Sequence, residues 1–152
     1  MVSPPPRNPG VPTALITEDF VKTHILILVT CREEELVDFI SVPAGIPEIA
    51  LNMVASEAEV LRAARELSPG LVIIDQQIFG VGNGLELVRN LLAVDARINT
   101  TMITTMSDNE WHERSEGLGM LPPLPDPPTA ADAKALLERV GWCNSSPLSA
   151  TT

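Results

Sequence analysis

The sequence predicts an α/β protein with a parallel sheet and helices on both faces. The first observation is a pair of continuous apolar runs, HILILV at 24–29 and LVII at 71–74, which are typical of strands buried on both faces. The second is the repeated alternation of strand-like and amphipathic helical segments along the chain. The third is Asp75, a carboxylate at the end of a buried strand, where open α/β sheets place their sites.

Length and composition narrow the function classes. The 152 residues are enough for one domain, and the formal net charge of −10 disfavours nucleic acid and anionic membrane surfaces as partners. Apolar runs reach only strand length, and the N-terminus lacks the apolar stretch of a secretory signal, so we expect a cytoplasmic protein. The cysteines, Cys31 and Cys143, have no spacing typical of a disulfide framework or zinc site.

The predicted domain covers residues 23–140. Residues 1–22, with five prolines in the first twelve positions, are predicted to be an N-terminal tail, and residues 141–152 a C-terminal tail.

In the first half of the domain, three predicted elements and a loop follow the strand at 24–29. Apolar residues at helical spacing predict a helix at 32–40, and the prolines and glycine that follow predict a loop at 41–47. Alternating apolar residues predict a half-buried strand at 48–54. Ser56 is a favourable N-cap for a helix over 57–67.

The second half continues the same alternation after the strand that ends at Asp75. Helical spacing of leucine and valine predicts the third helix, β-branched residues predict the fourth strand, and Asp108 is a predicted cap of a short polar helix. The segments are helix 84–94, strand 100–106, helix 108–117, a very short strand 120–121 and helix 129–140.

In this order and spacing, residues 24–140 resemble the receiver domain of two-component response regulators. LVIIDQQIFG resembles its third strand, with Asp75 at the phosphorylated aspartate, and GNGLELVRNLL resembles the helix that follows. ARINTTMITTMSD resembles the fourth strand, with Thr104 as the switch hydroxyl. EGLGMLPPLP resembles the segment AGADDYLxKP and places Leu121 on the switch aromatic, Leu124 on the lysine and Pro125 on the candidate cis-proline. The resemblance implies a doubly wound, flavodoxin-like sheet of five strands in the order 2-1-3-4-5.

The departures from the family pattern concern the phosphorylation chemistry. The acidic pair that helps to hold Mg²⁺ falls on Val29 and Thr30, and the lysine position is Leu124. Asp75 and the backbone carbonyl of Gln77 would form a weak metal site at best, because Mg²⁺ prefers several oxygen ligands. The resemblance therefore implies a pseudo-receiver with a degenerate phosphoacceptor site, which requires no cofactor and binds Mg²⁺ weakly if at all.

The predicted function is a signalling module of a two-component or phosphorelay system. It is not an enzyme, and it would act through contacts with a histidine kinase, another signalling protein or a second copy of itself. A second hypothesis is a ligand-binding domain of the cobalamin type, because Asp75 and Gly80 fit an Asp-x-His-x-x-Gly motif in which Gln77 replaces the histidine. Two simpler interpretations also remain: Asp75 as a cap of the next turn, and Thr104 as an ordinary strand residue.

Overall fold

A computed structural model describes residues 24–142, except for the side chains of residues 79–82. The predicted N-terminal tail, and the predicted C-terminal tail from residue 143 onward, lie outside the described residues. The elements, in chain order, are β1 (His24–Val29), a 3₁₀ turn (Glu33–Leu36), α1 (Val37–Ala44), β2 (Ile49–Val54), α2 (Glu57–Leu67), β3 (Leu71–Asp75), α3 (Gln76–Val94), β4 (Asn99–Ile103), α4 (Asp108–Ser115) and α5 (Ala130–Arg139).

The four strands form one parallel sheet in the order β2-β1-β3-β4. Val29 in β1 pairs with Ile74 in β3, and Asp75 pairs with Ile103 at the end of β4. The carboxyl ends of the strands therefore meet at one edge, which is the edge that carries Asp75. The predicted α/β class, parallel sheet and relative order of the first four strands are confirmed.

The predicted fifth strand is reduced to a single bridge among the described residues. Leu121 donates its backbone N–H to the carbonyl of Thr100 at 2.8 Å, and Leu124 forms an isolated parallel bridge with the end of β4. Between them, Pro122 and Pro123 have no N–H to donate, so a regular hydrogen-bond ladder cannot form. The prediction of five strands is therefore wrong in number, although this segment does lie along the outer edge of β4.

Two helices extend beyond their predicted limits. Helix α1 continues through Pro43, within the predicted loop, and Pro43 is buried. Helix α3 begins at Gln76 and not at residue 84, because the Asp75 carboxylate caps its first turn. At α4 the cap is Ser107, whose hydroxyl accepts the N–H of Glu110, and not Asp108 as predicted.

The core consists of two aliphatic layers, one on each face of the sheet. Successive strand residues point to opposite faces, so Ile27 and Val29 belong to one layer while Leu26 and Leu28 belong to the other. All four are buried. Within residues 24–142, no helix combines the length and apolar character needed to cross a bilayer.

The two ends of the described chain meet at the edge of the sheet opposite to Asp75. The ring of Trp142 stacks on the ring of His24, with centroids 4.6 Å apart and planes at 11°. The indole also covers Gly70, where an added Cβ would lie 2.6 Å from Trp142 Cζ2. The backbone N–H of Trp142 donates to the carbonyl of Leu137 at 2.8 Å, which fixes the indole against the end of α5.

Candidate functional site

The candidate site lies at the carboxyl edge of the sheet, where β1 and β3 end. Asp75 is the last residue of β3, and its carboxylate has no solvent exposure. Thr30, the first residue after β1, is also buried and faces this carboxylate. Two neighbouring parallel strands thus bring these side chains together across 45 residues of sequence.

Four donors bind the Asp75 carboxylate, two on each oxygen. Oδ2 accepts the Thr30 hydroxyl at 2.8 Å and Arg32 Nε at 2.7 Å. Oδ1 accepts Arg32 Nη2 at 2.9 Å and the backbone N–H of Gln77 at 3.0 Å. A carboxylate offers about four lone-pair positions, so the hydrogen-bonding capacity of Asp75 is filled. The contact with Arg32 is the bidentate geometry that makes arginine–carboxylate pairs strong and specific.

Arg32 also binds a second acid. Its Nη2 atom lies 2.9 Å from Oδ1 of Asp126, and the other oxygen of Asp126 accepts the side-chain amide of Gln77 at 3.0 Å. The Arg32 side chain is 17% exposed, whereas its contact with Glu35 at 3.2 Å lies at the surface. We call Arg32, Asp75 and Asp126 the Arg32 cluster. It joins the turn after β1, the end of β3 and the segment after residue 124.

The contacts between Arg32 and Asp75 change the protonation equilibria of these two residues. Burial alone would raise the pKa of Asp75, but the hydrogen bonds from Arg32, Thr30 and the Gln77 N–H outweigh it, so the pKa lies below its usual range. The hydrogen bond to Asp75 is the largest cause of a raised pKa for Arg32. The pair is therefore a carboxylate with a guanidinium at neutral pH.

Arg32 was not identified from the sequence as a site residue. The family pattern calls for a lysine beside the aspartate, and the chain has only two lysines. The sequence feature that could have identified Arg32 is its position two residues after Thr30, in the turn that follows a buried strand. Its guanidinium reaches Asp75 across 43 residues of sequence.

Two predicted positions do not face the site. Val29 was placed on the family's acidic pair, but its side chain is fully buried in a core layer. Leu124 was placed on the family's lysine, and its side chain, 6% exposed, packs in the other layer. From the segment that contains Val29, the Thr30 side chain contacts Asp75 directly. From the segment that contains Leu124, the Asp126 side chain is linked to Asp75 indirectly, because both bind Arg32. The cis peptide bond likewise lies between Asp126 and Pro127 and not before Pro125, which corrects that assignment.

Thr104 directly follows β4 and forms no hydrogen bond with Asp75. Its hydroxyl donates to Oε1 of Gln76 and accepts the backbone N–H of Met106 at 3.1 Å. The predicted switch-aromatic position, Leu121, is partly buried against the same core layer as Leu124. The two positions are therefore engaged in separate contacts.

The residues around Asp75 do not fit a Mg²⁺ ion. Within residues 24–142, no three His, Cys, Asp or Glu side chains are grouped to hold a metal. Both Asp75 oxygens bind a guanidinium, which occupies the positions that a cation would need. Gln77, which replaces the histidine in the cobalamin hypothesis, uses its side-chain amide to bind Asp126.

The parallel sheet in the order β2-β1-β3-β4, with helices on both faces, is a flavodoxin-like α/β fold that solved receiver domains share. A two-component response regulator from Legionella pneumophila superposes with a TM-score of 0.63 at 20% identity over 80% of this chain and 100% of that one. The signal receiver domain of a modulated diguanylate cyclase from Desulfovibrio desulfuricans has a TM-score of 0.62 at 18% identity over 78% and 93%. The receiver domain of an HD domain-containing protein from Pseudomonas fluorescens has 0.66 at 15% identity over 78% and 87%. No family model matches the sequence, and no curated protein matches it.

Proposed function

We propose that this chain is a pseudo-receiver: a receiver-like signalling module that works through protein contacts and not through phosphorylation of Asp75. The observation that carries the proposal is the bidentate Arg32–Asp75 contact, in which an internal cation engages both carboxylate oxygens. The module needs no Mg²⁺ and is not an enzyme. Its partner is a protein of a two-component or related signalling system.

The charges of the Arg32 cluster oppose phosphoryl transfer. Transfer to a carboxylate requires a free oxygen lone pair and cations that neutralise the incoming phosphoryl group. Asp75 has four donors on its two oxygens, so an attacking oxygen must first lose one of its two hydrogen bonds, and on each oxygen one of the two comes from the Arg32 guanidinium. Asp126, which accepts a hydrogen bond from the same guanidinium, adds a second negative charge near Asp75. These features favour a stable ion pair between Arg32 and Asp75 over an Asp75 that accepts a phosphoryl group.

The contacts around the switch positions favour one dominant conformation. In the resembled family, the switch hydroxyl moves towards the phosphoryl group and an aromatic residue follows. Here Thr104 is bonded to Gln76, and Leu121 has no polar end that could favour an exposed position. A ligand shifts an equilibrium between two states only if it binds them with different affinities. We therefore expect a phosphate mimic to leave the conformation at Thr104 and Leu121 unchanged.

Intact mass spectrometry after incubation with acetyl phosphate and Mg²⁺ tests the proposal. We expect no phosphoryl adduct on the wild-type chain, and no change in sedimentation on adding beryllofluoride with Mg²⁺. The variant Asp75→Asn serves as the baseline for non-specific modification. A stoichiometric adduct that is absent from Asp75→Asn would contradict the proposal.

A charge-swapped variant tests the physical reason. Thr30→Asp, Arg32→Ser and Asp126→Lys together remove the internal cation, add an acid beside Asp75 and place a lysine where Asp126 now lies. Val29 is left unchanged because an acid there would be buried in the core. We expect this variant to gain Mg²⁺ affinity by calorimetry and to accept a phosphoryl group. If it folds and gains neither property, the Arg32 cluster is not what prevents the chemistry.

A further inference from the structure

A surface groove between α1 and the end of β2 lies beside the Arg32 cluster but shares none of its ionic contacts. Its apolar surface is formed by Val37, Ile40, Met53 and Ala55. We propose that this groove, called the α1–β2 groove, docks a basic amphipathic segment of a partner protein. The inference deepens the proposed function, on which it rests, by stating the chemistry of the partner.

The groove holds an unusual share of the exposed apolar surface. Among residues 24–142, the large hydrophobic side chains that are exposed are Val37 at 59%, Met53 at 39% and Leu67 at 39%. Two of these three lie in the α1–β2 groove. Clustered apolar exposure in a concave surface is typical of interaction sites, whereas scattered exposed residues need no explanation.

The exposure of Met53 follows from the position of β2 in the sheet. Strand β2 is an edge strand, and Ile49 and Leu51 on the same side of it pack into the core layer beneath α1 and α5. Met53 continues that side of the strand at its carboxyl end, but it remains partly exposed. The sheet thus presents an apolar position that the elements of residues 24–142 cover only in part.

The border of the groove is acidic. Glu33 and Glu34 line it, are exposed, and form no ion pair with any residue of the described chain. On the other side, the Glu59 carboxylate accepts the backbone N–H of Ala55 at 2.9 Å, which adds a third negative charge. No lysine or arginine lines the groove, and the guanidinium of Arg32 is directed to its own cluster. The potential around the apolar surface is therefore negative.

Charge complementarity selects the occupant. A segment with apolar side chains at helical spacing and lysine or arginine beside them would fill the groove and pair with Glu33, Glu34 and Glu59. A second copy of this chain is disfavoured, because a symmetric contact through the groove would bring the same acids of both copies together. An acidic segment is disfavoured for the same reason.

A synthetic helical peptide provides the probe. We would measure fluorescence anisotropy of a labelled Leu/Lys peptide of roughly five turns, with apolar residues at positions i, i+3, i+4 and i+7, on titration with the full chain. The expected result is saturable binding that weakens with added salt. A peptide with glutamate in place of every lysine serves as the comparison and is expected not to bind.

Matched variants locate the binding on the surface. Val37→Asp and Met53→Asp should each weaken binding roughly tenfold, as expected for loss of an apolar anchor. Leu67→Asp is the control, because Leu67 on α2 is as exposed as Met53 and gains the same charge. It should bind as the wild type does. Glu33→Gln with Glu34→Gln should weaken binding and reduce its salt dependence.

Four outcomes would overturn the proposal: no saturable binding of the basic peptide, equal binding of the acidic peptide, equal weakening by Leu67→Asp, or a dimer in sedimentation that Val37→Asp dissociates. The last outcome would assign the groove to a second copy of the chain. None of these measurements involves Asp75. A failure here is therefore distinguishable from a failure of the phosphodonor test.

Discussion

Replacing Arg32 by methionine should destabilise the protein far more than loss of an ordinary surface arginine. The substitution removes two hydrogen bonds from Asp75 and one from Asp126, and it leaves the fully buried Asp75 carboxylate with only Thr30 and the Gln77 N–H. Removing one partner of a buried ion pair costs about 3–5 kcal/mol. Arg32 is 17% exposed, so water can partly replace it, and we expect a loss of about 2–4 kcal/mol.

The assay is urea-induced unfolding followed by circular dichroism, at neutral pH, for a double-mutant cycle. Asp75→Asn in the Arg32→Met background removes the uncompensated charge, so the double variant should be more stable than the sum of the single effects predicts. We expect a coupling free energy of about 1–3 kcal/mol between the two positions. Arg89→Met is the matched control, because Arg89 pairs with Glu86 at the surface and its loss should change stability by no more than about 0.5 kcal/mol.

Two results would refute this reasoning. The first is an effect of Arg32→Met no larger than that of Arg89→Met, which would mean that the guanidinium adds nothing to the folded state. The second is strict additivity with Asp75→Asn. In that case the cost would come from lost packing of the arginine stem and not from the charge left on Asp75.

Three further predictions concern stability. The pKa of Asp75 is lowered in the folded chain, so its ionised carboxylate contributes stability at any pH above the ordinary pKa of an aspartate. That contribution is lost as the pH falls through the lowered pKa. The difference in unfolding free energy between wild type and Asp75→Asn should therefore be constant above about pH 5 and shrink below about pH 4. Gly70→Ala should displace the indole of Trp142 and cost about 1–3 kcal/mol, with a change in tryptophan fluorescence, whereas Gly45→Ala, whose nearest atom would lie at 3.4 Å, should leave the fluorescence unchanged. Thr129→Ala removes the capping box of α5 and should cost about 1 kcal/mol in urea unfolding.

The fold was predictable because its determinants are local. Continuous apolar runs identify β1 and β3, the spacing of apolar residues identifies the helices, and Ser56 marks the start of α2. The absence of a regular fifth strand could also have been predicted, because Pro122 and Pro123 cannot donate backbone hydrogen bonds to a neighbouring strand. Helix limits were less predictable, because capping by Asp75 at the end of a strand depends on how the chain turns there.

The candidate site was predictable in position but not in composition. Asp75 at the end of a buried strand indicated the edge of the sheet, yet its partners come from two other segments of the chain. Arg32 lies 43 residues away in sequence from Asp75, and Asp126 lies 94 residues away from Arg32. Alignment to the family pattern also placed Leu124 at the site, whereas in the structure that side chain faces the core and Asp126 is the residue that reaches Arg32.

The stacking of Trp142 on His24 makes the folded part of the chain suitable for insertion into a host protein. Because the rings of His24 and Trp142 stack on each other, the two ends of residues 24–142 lie on the same side of the sheet, as insertion into a surface loop of a host requires. Strand β1 runs away from this point for six residues, or about 20 Å, before reaching the Arg32 cluster. A host joined there would thus leave the carboxyl edge of the sheet facing outward, free to meet a third molecule.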